Sequence, residues 1–337
     1  MSTDEFADIA ASRKKALDSK AWQGKLMTPF TWLLRGVFGL SRLLGCEAWL
    51  FRHFVKPFAG MFSTAIGKAF VDYTPTEHDV FVCSYYKSGT NWLMYAAYQV
   101  AEKGTGEFND ILDVAPWPDC PAQETTIALR DQRPIKRSIT GQRVIKTHAR
   151  AEFVPYSEKA KYICLVRDPK DTVVSAHHFF GSMLLGPLIP STNTWVKQCM
   201  SEGAVFGPWH RFLASYWPWR DRGNVLFITY EQMMADPQAS IRKIAELMAV
   251  ELTDAEVARV AELTSYKSMK AIDHKFYPGE VSPFARRGGQ MIRQGKAGSS
   301  GDMLNTAQQG FIDSYCRNGL VELGCDFPYD EHYGKRG

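Results

Sequence analysis

Between Leu26 and Phe51 the chain is apolar, but Arg35, Arg42 and Glu47 interrupt it, and no uncharged run within that stretch approaches the bilayer-spanning length of about 18. The first residues, Met1-Ser-Thr-Asp-Glu-Phe-Ala-Asp, are acidic and lack the basic and apolar regions of a signal peptide. The seven cysteines (46, 83, 120, 164, 199, 316 and 325) contain no C-x-x-C and are odd in number, which argues against a disulfide framework and for a reducing, cytoplasmic compartment. The eight histidines show no H-E-x-x-H or other metal spacing. No long Lys/Arg run points to nucleic acid. Internal repeats, low-complexity segments and a convincing linker are also lacking. The G-x-x-x-x-G-K-S/T loop of the common nucleoside triphosphatases is missing too.

What is there is the composition of a globular protein, 45% hydrophobic and 23% charged. Forty Lys and Arg against 36 Asp and Glu give a mild basic excess, suited to an anionic ligand or surface.

One stretch organises the rest, Asp79-Val-Phe-Val-Cys-Ser-Tyr-Tyr-Lys-Ser-Gly-Thr-Asn-Trp92. Val80 to Cys83 read as a buried strand. The chain then turns through Lys87-Ser88-Gly89-Thr90, and from Asn91 onward Trp92, Tyr95, Ala96, Gln99 and Val100 recur at helical spacing. Strand, small polar turn and helix make an anion cradle: the first amides of a helix lack intrahelical partners, and its dipole adds positive potential. Gly89 allows close backbone approach, Lys87 adds a charge, and Ser88 and Thr90 add hydroxyls. Lys87 precedes the only nearby glycine, so the loop suits a phosphate without the usual seat for a γ-phosphate and its magnesium. On these residues alone, an ordinary strand–helix turn with a surface lysine is an equal reading.

Further strands are predicted at Arg143-Val-Ile-Lys-Thr-His148, Lys161–Val166 and Asn224–Tyr230. Asp168-Pro169 reads as an N-cap followed by a first-turn proline, opening a helix to about Phe180. The segment 179–190, apolar but broken by Gly and Pro, reads as a greasy loop. Helical patterns follow at about 194–201, 208–220, 237–249, 254–263 and 306–319, with an irregular basic segment at 274–305. Residues 1–25 look like a polar helical lead-in or a frayed arm, and 26–70 like one or two amphipathic helices. Of the adjacent pair His177 and His178, at least one is expected to be structural. Cys83 and Cys164, inside apolar runs, are expected to be buried thiols.

Strands alternating with helices predict an α/β fold, a single domain with a central parallel sheet flanked by helices and a P-loop-like anion-binding turn. The expected division is a helical extension over 1–75 and the catalytic domain over 76–330. Ligands of such sheets bind beyond the carboxyl ends of the strands, which gathers Lys87, Lys146 with His148, Arg167 and Tyr230.

In this order the motifs resemble the cytosolic type of sulfotransferase that uses 3′-phosphoadenosine 5′-phosphosulfate (PAPS). Tyr86-Lys-Ser-Gly-Thr-Asn-Trp92 is similar to that family's 5′-phosphosulfate loop, Tyr162 to Phe179 to its 3′-phosphate segment, and Lys146-Thr-His148 to its catalytic stretch. Gly207-Pro-Trp-His210, Tyr230-Glu-Gln-Met, Thr264-Ser-Tyr-Lys-Ser-Met269 and Phe284-Ala-Arg-Arg-Gly288 follow in the family's order. The likeness covers roughly residues 79–290. The chain departs at Arg287, where the family usually has Lys, and after Gly301-Asp302, where the usual Trp-Lys is absent.

The resemblance implies a nucleoside triphosphate hydrolase-like fold and in-line transfer of a sulfuryl group from PAPS, with 3′,5′-ADP as product and no metal. It implies His148 as general base, with Lys87 and Lys146 stabilising charge on the leaving and transferred oxygens. Ser88, Gly89, Thr90, Asn91 and Trp92 would hold the 5′ end, and Arg167 and Ser175 the 3′-phosphate. Arg286, Arg287 and Gly288 would close over that phosphate. Tyr230 and Thr264 would donate hydrogen bonds to the nucleotide, and Trp92 or Tyr266 would pack on the adenine.

The acceptor is expected to be a small hydroxyl (or amine) compound, lipid-like or phenolic, because segment 179–190, Trp117, Phe153 and Tyr277 supply apolar surface. The aromatic and basic residues of 26–56 suit either packing on the domain or peripheral contact with a membrane. Two other functions compete: a P-loop-type nucleotide or small-molecule kinase, and a non-catalytic membrane-peripheral binding module. The missing Walker loop counts against the first, and the retained Lys87, Lys146 and His148 against the second.

Overall fold

The computed structural model describes residues 3–276, 282, 284–285 and 290–334. Four parallel strands, β1 (Asp79–Ser84), β2 (Arg143–Thr147), β3 (Lys161–Val166) and β4 (Val225–Thr229), form one sheet in the order β2-β1-β3-β4. The α/β class expected from alternating strands and helices is the observed one.

Side chains alternate across β1. Val80 and Val82 enter one core with Leu93, Met94 and Ala97 of helix α3 (Thr90–Ala101). Phe81 and Cys83 enter the other, where Phe81 stacks on Tyr162 of β3 at 4.9 Å between ring centroids. Both faces are therefore covered, as an all-parallel sheet requires. Cys83 and Cys164 are fully buried thiols, register partners on β1 and β3. At the amino-terminal edge the Cα partners Asp79 and Arg143 form a buried ion pair, Nε to Oδ1, at 2.8 Å.

Of the two readings of residues 1–25, helical lead-in or frayed arm, the structure has the helix. It is one 37-residue helix, α1 (Ala7–Leu43), which runs through Pro29. The reason is long-range. Arg13 is buried, paired with Asp113 at 2.6 Å and donating to the carbonyl of Thr125, and Phe6 packs in the α3-side core. A turn at Gly45, with φ +73°, leads into α2 (Glu47–Lys68), whose Phe51 and Val55 are core residues.

After the short helix α4 (Arg133–Arg137), α5 (Pro169–Met183) opens as expected, with the Asp168 carboxylate accepting from the Lys170 amide and Pro169 in the first turn. It runs past Phe180 into the predicted loop, because Phe180 and Met183 both face buried surroundings. Only a 3-10 turn, Gly186–Leu188, and its flanks remain of that loop. The helices α6 (Thr192–Cys199), α7 (Trp209–Tyr216), α8 (Tyr230–Ala235), α9 (Pro237–Leu247), α10 (Asp254–Leu263) and α11 (Tyr266–Ala271) follow. The last two, α12 (Thr306–Glu322) and α13 (Tyr329–Tyr333), are fastened through Asp313. It accepts from Lys170 of α5 at 2.5 Å and from Tyr329 at 2.8 Å.

Candidate active site

The turn after β1 is built to leave polar groups unpaired. Gly89, at φ +100°, stands at the N-cap of α3 without a capping side chain, so the first amides of the helix stay free. Lys87 also adopts a left-handed backbone, φ +62°, a conformation costly for a residue with a Cβ and found where function imposes it. The Ser88 hydroxyl is buried without a hydrogen-bond partner. Ser84 and Thr90 bond to each other at 2.7 Å and tie the strand to the helix. A Cβ at Gly89 would lie 2.7 Å from Cδ2 of Tyr230, so both conformation and space require glycine there. Free amides, an orphaned hydroxyl and a glycine-only approach together fit an anionic group.

Beyond the strand ends lies a cavity of about 480 Å³. It brings together Lys87, Gly89, Thr90, Asn91, Trp92, Lys146, His148, Arg167, Ser175, Tyr230, Thr264 and Tyr266. These lie in the turn after β1 and on or just after α3, β2, β3, α5, α8, α10 and α11, elements far apart in sequence. Ser88 lies under this surface, and Arg286, Arg287, Gly288 and Tyr277 lie outside the described residues. Phe153 is 41% exposed and stands apart from the cavity, so its expected place beside the acceptor is wrong. Of segment 179–190, Phe179, Phe180 and Leu184 reach the wall.

His148 is buried between aromatic rings, edge-on to Trp117 at 5.5 Å and to Phe206 at 5.4 Å. Its Nδ1 lies 2.8 Å from the carbonyl oxygen of Ser84, and its own amide donates to Asp119. Burial, then the positive Lys146 and Lys87, push its pKa down to about 3, so the ring is neutral. Lys87 Nζ sits over the Phe179 ring at 4.2 Å, and Lys146 Nζ over Trp117 at 3.6 Å. Burial followed by repulsion from Lys146 and Arg167 lowers Lys87 to about 7, and burial lowers Lys146 to about 8. This crowding of cations is what a multiply charged anion would relieve.

Arg167 stacks on Tyr230 at 4.1 Å from the ring centroid, donates to the Lys296 carbonyl at 2.8 Å and meets Asp171 at 3.3 Å. Its Nε is buried without a partner. Trp92 meets Tyr230 edge-on at 5.3 Å. Thr264 departs from its expected role as a donor, since its hydroxyl donates to the Val260 carbonyl at 2.8 Å.

Several wall residues were not legible in the sequence. Arg293, Gln294, Gly295 and Lys296 form a strap over the cavity. It is held where Asp273 accepts from the Ile292 amide at 2.7 Å and Tyr266 donates to the Arg293 carbonyl at 3.0 Å. Their one signal was a basic, glycine-rich segment. Asp119, buried beside His148, has burial pushing its carboxyl up to about 6, and only its place in a proline-rich loop marked it. Among the described residues no group of three or more His, Cys, Asp or Glu is gathered to hold a metal ion.

A parallel sheet with an anion-binding turn at one strand end, and a neutral histidine between two lysines at the next, defines a group-transfer enzyme acting on an anionic donor. Residues 77–324 match the sulfotransferase domain family, and the chain belongs to it. It is 30% identical to sulfotransferase 2B1 of Rattus norvegicus over 75% of this chain and 74% of that protein. To sulfotransferase 2A1 of Macaca fascicularis it is 24% identical over 81% of this chain and 95% of that one. Among solved structures, mouse sulfotransferase SULT7A1 complexed with PAP aligns over 77% of this chain and 90% of its own, at 26% identity and a TM-score of 0.58. A retinol dehydratase complex with retinol and PAP shares the fold, with a TM-score of 0.63 at 18% identity. The chain is a sulfotransferase by family.

Proposed function

We propose that this enzyme transfers a sulfuryl group from PAPS to the hydroxyl (or amine) of a small apolar acceptor, with His148 as general base. The observation that carries the reading is His148 itself: neutral, its Nδ1 held by the Ser84 carbonyl, and facing the same cavity as Lys87 and Lys146. PAPS supplies the sulfuryl group and leaves as 3′,5′-ADP. His148 Nε2 takes the acceptor proton as the acceptor oxygen bonds to sulfur and the bond from sulfur to the phosphate oxygen breaks. Lys87 stands nearest the anion turn, where charge builds on that phosphate oxygen, and Lys146 faces the transferred group. Catalysis is then positioning and charge stabilisation, as in phosphoryl transfer.

For the nucleotide we assign the turn residues Ser88, Gly89, Thr90, Asn91 and Trp92 to the 5′ end. Arg167 and Ser175 take the 3′-phosphate, with the orphaned Nε of Arg167 as one donor. Tyr230 and Tyr266 wall the base, and Thr264 is left as an acceptor of hydrogen bonds. The transferase unit is 76–330, with 1–75 an extension whose α2 contributes Phe58, Met61 and Phe62 to the cavity wall. That apolar wall favours a phenol, sterol or long-chain alcohol. We assign the enzyme to the cytoplasm, close to a membrane surface reached through residues 26–56.

The test is a panel of such acceptors with radiolabelled PAPS, and with ATP as control. Label should pass from PAPS to at least one apolar hydroxyl compound, with no transfer from ATP. PAP binding without transfer to any acceptor would leave a nucleotide-binding module, and transfer from ATP a kinase.

A further inference from the structure

The hairpin of α1 and α2 carries eleven of the twenty large apolar side chains exposed among the described residues. Along α1, Leu26, Phe30, Leu33, Val37, Leu40 and Leu44 recur every three or four residues, and each is at least 42% exposed. Trp32 and Leu43 flank that row at 66% and 85% exposure. At about 100° per residue these positions span an exposed sector of about 160°, while Leu34 and Phe38 face the core. A coiled-coil seam is narrower than this.

From Ser19 onward the exposed charge on the hairpin has one sign. Between Ser19 and Lys68 the only acid is Glu47. It is buried and consumed by Arg42 at 2.7 Å and by Thr194 of α6 at 2.7 Å, contacts that also pin the elbow to the domain. Arg35, Arg52, Lys56 and Lys68 are exposed. Arg35 stacks on Trp32 at 5.4 Å, a guanidinium on an aromatic ring at the rim of the apolar sector. Among the described residues no helix is long and apolar enough to cross a membrane. A broad apolar sector rimmed by cations is the pattern of a helix lying on a membrane surface.

Continuity with the cavity gives the sector a purpose. Lys20, Phe58, Met61 and Phe62 line the cavity from the hairpin side, and Met61 is also 55% exposed at the surface. We propose that the α1–α2 hairpin docks the enzyme on an anionic lipid surface, and that the acceptor is a membrane-resident hydroxyl amphiphile entering the cavity past Met61. The docking stands on the hairpin alone; the entry route rests on the transferase reading above.

The full-length protein is to be sedimented with vesicles of phosphatidylcholine, with and without phosphatidylglycerol. Wild type should bind the anionic vesicles and release in salt. Leu33→Glu/Leu40→Glu, at exposed positions, should weaken binding at least about tenfold. Arg52→Gln/Lys56→Gln should weaken it about fivefold per charge. Both variants should keep wild-type turnover of a water-soluble phenol and lose turnover of a long-chain phenol embedded in the vesicles. Wild type unbound at low salt, or Leu33→Glu/Leu40→Glu bound as tightly as wild type, overturns the docking. A wild-type dimer that this variant converts to monomer, without vesicle binding, assigns the sector to a second copy instead. Failure to sulfate even the soluble phenol counts against the transferase reading and leaves vesicle binding as a separate result.

Discussion

The Nδ1 atom of His148, at the end of β2, lies 2.8 Å from the carbonyl oxygen of Ser84, at the end of β1. A carbonyl can only accept, so Nδ1 carries the proton and Nε2 keeps its lone pair. The parallel register that aligns Cys83 with Thr147 sets this contact. The backbone of one strand thereby chooses the tautomer of a side chain on the next.

A base held this way should be dispensable for binding and necessary for turnover. His148→Ala is expected to lower kcat by about 10² to 10⁴ while PAP affinity stays within about threefold of wild type. Turnover should also show no acidic limb near the usual histidine value of 6.5, because the folded pKa lies near 3. Folding stability carries the same shift: the unfolded ring binds a proton that the folded one refuses, so stability falls as pH drops from 6.5 toward 3. Near-normal turnover of His148→Ala with several good acceptors removes the residue from the mechanism.

Lys87 and Lys146 predict proton uptake on nucleotide binding. Their folded values are lowered to about 7 and about 8. A polyanion between them raises both, so protons are taken up above about pH 7, and affinity falls as pH rises from there. Calorimetry of PAP binding at pH 8 in buffers of different ionisation enthalpy should show this uptake, smaller in Lys87→Met. Identical apparent enthalpies in all buffers would mean that both lysines are already protonated in the free enzyme.

The cavity-lining strand ends were legible because their signals are local. An apolar run ending in Lys87-Ser88-Gly89-Thr90, and Asp168-Pro169 after the run Lys161–Val166, are short-range patterns that tertiary packing reinforced. The choice between an ordered helix and a frayed arm over residues 1–25, and the strap, were not legible for the opposite reason. Arg13 orders α1 through Asp113, a hundred positions along the chain, and Asp273 orders Ile292 across a segment without periodicity. Thr264 shows a third limit, since nothing local distinguishes a threonine donating to its own helix from one donating to a ligand.

Gly89 should tolerate no side chain. Gly89→Ala meets both a positive φ and the Tyr230 ring at 2.7 Å. The expected cost is about 1–3 kcal/mol of stability from the strained backbone, with at least about tenfold weaker PAP binding as the turn shifts. Pairing it with Tyr230→Ala relieves the contact but not the dihedral, so the double variant should not regain affinity. Recovery to wild-type binding would show that space alone makes glycine necessary there.

At the opposite end of the sheet, Asp79 and Arg143 are an ion pair with side chains 0% and 2% exposed. Tyr73 donates to the same carboxylate at 2.5 Å. Removing one charge strands the other, so Asp79→Ala should cost about 3–5 kcal/mol in denaturant unfolding. Asp79→Ala/Arg143→Met should cost less than the single change, because no lone guanidinium remains. A double variant less stable than Asp79→Ala would make the arginine's bonds to the carbonyl groups of Leu129 and Asp131 the larger contribution.

On the nucleotide assignment proposed above, Arg167 joins 3′-phosphate recognition to the strap. Its guanidinium holds the Lys296 carbonyl at 2.8 Å, lies on Tyr230 and keeps Nε unpartnered. A charged hydrogen bond to the 3′-phosphate is worth roughly 1.5–3 kcal/mol, so Arg167→Ala should weaken PAP about ten- to a hundredfold. Adenosine 5′-monophosphate, without that phosphate, should bind almost unchanged. Arg167→Lys should recover little, because an ammonium cannot hold the carbonyl, the ring and an oxyanion from one plane. Equal losses for both nucleotides would instead mean that the arginine acts by holding the strap, and proteolysis within 290–296 would then rise in the variant.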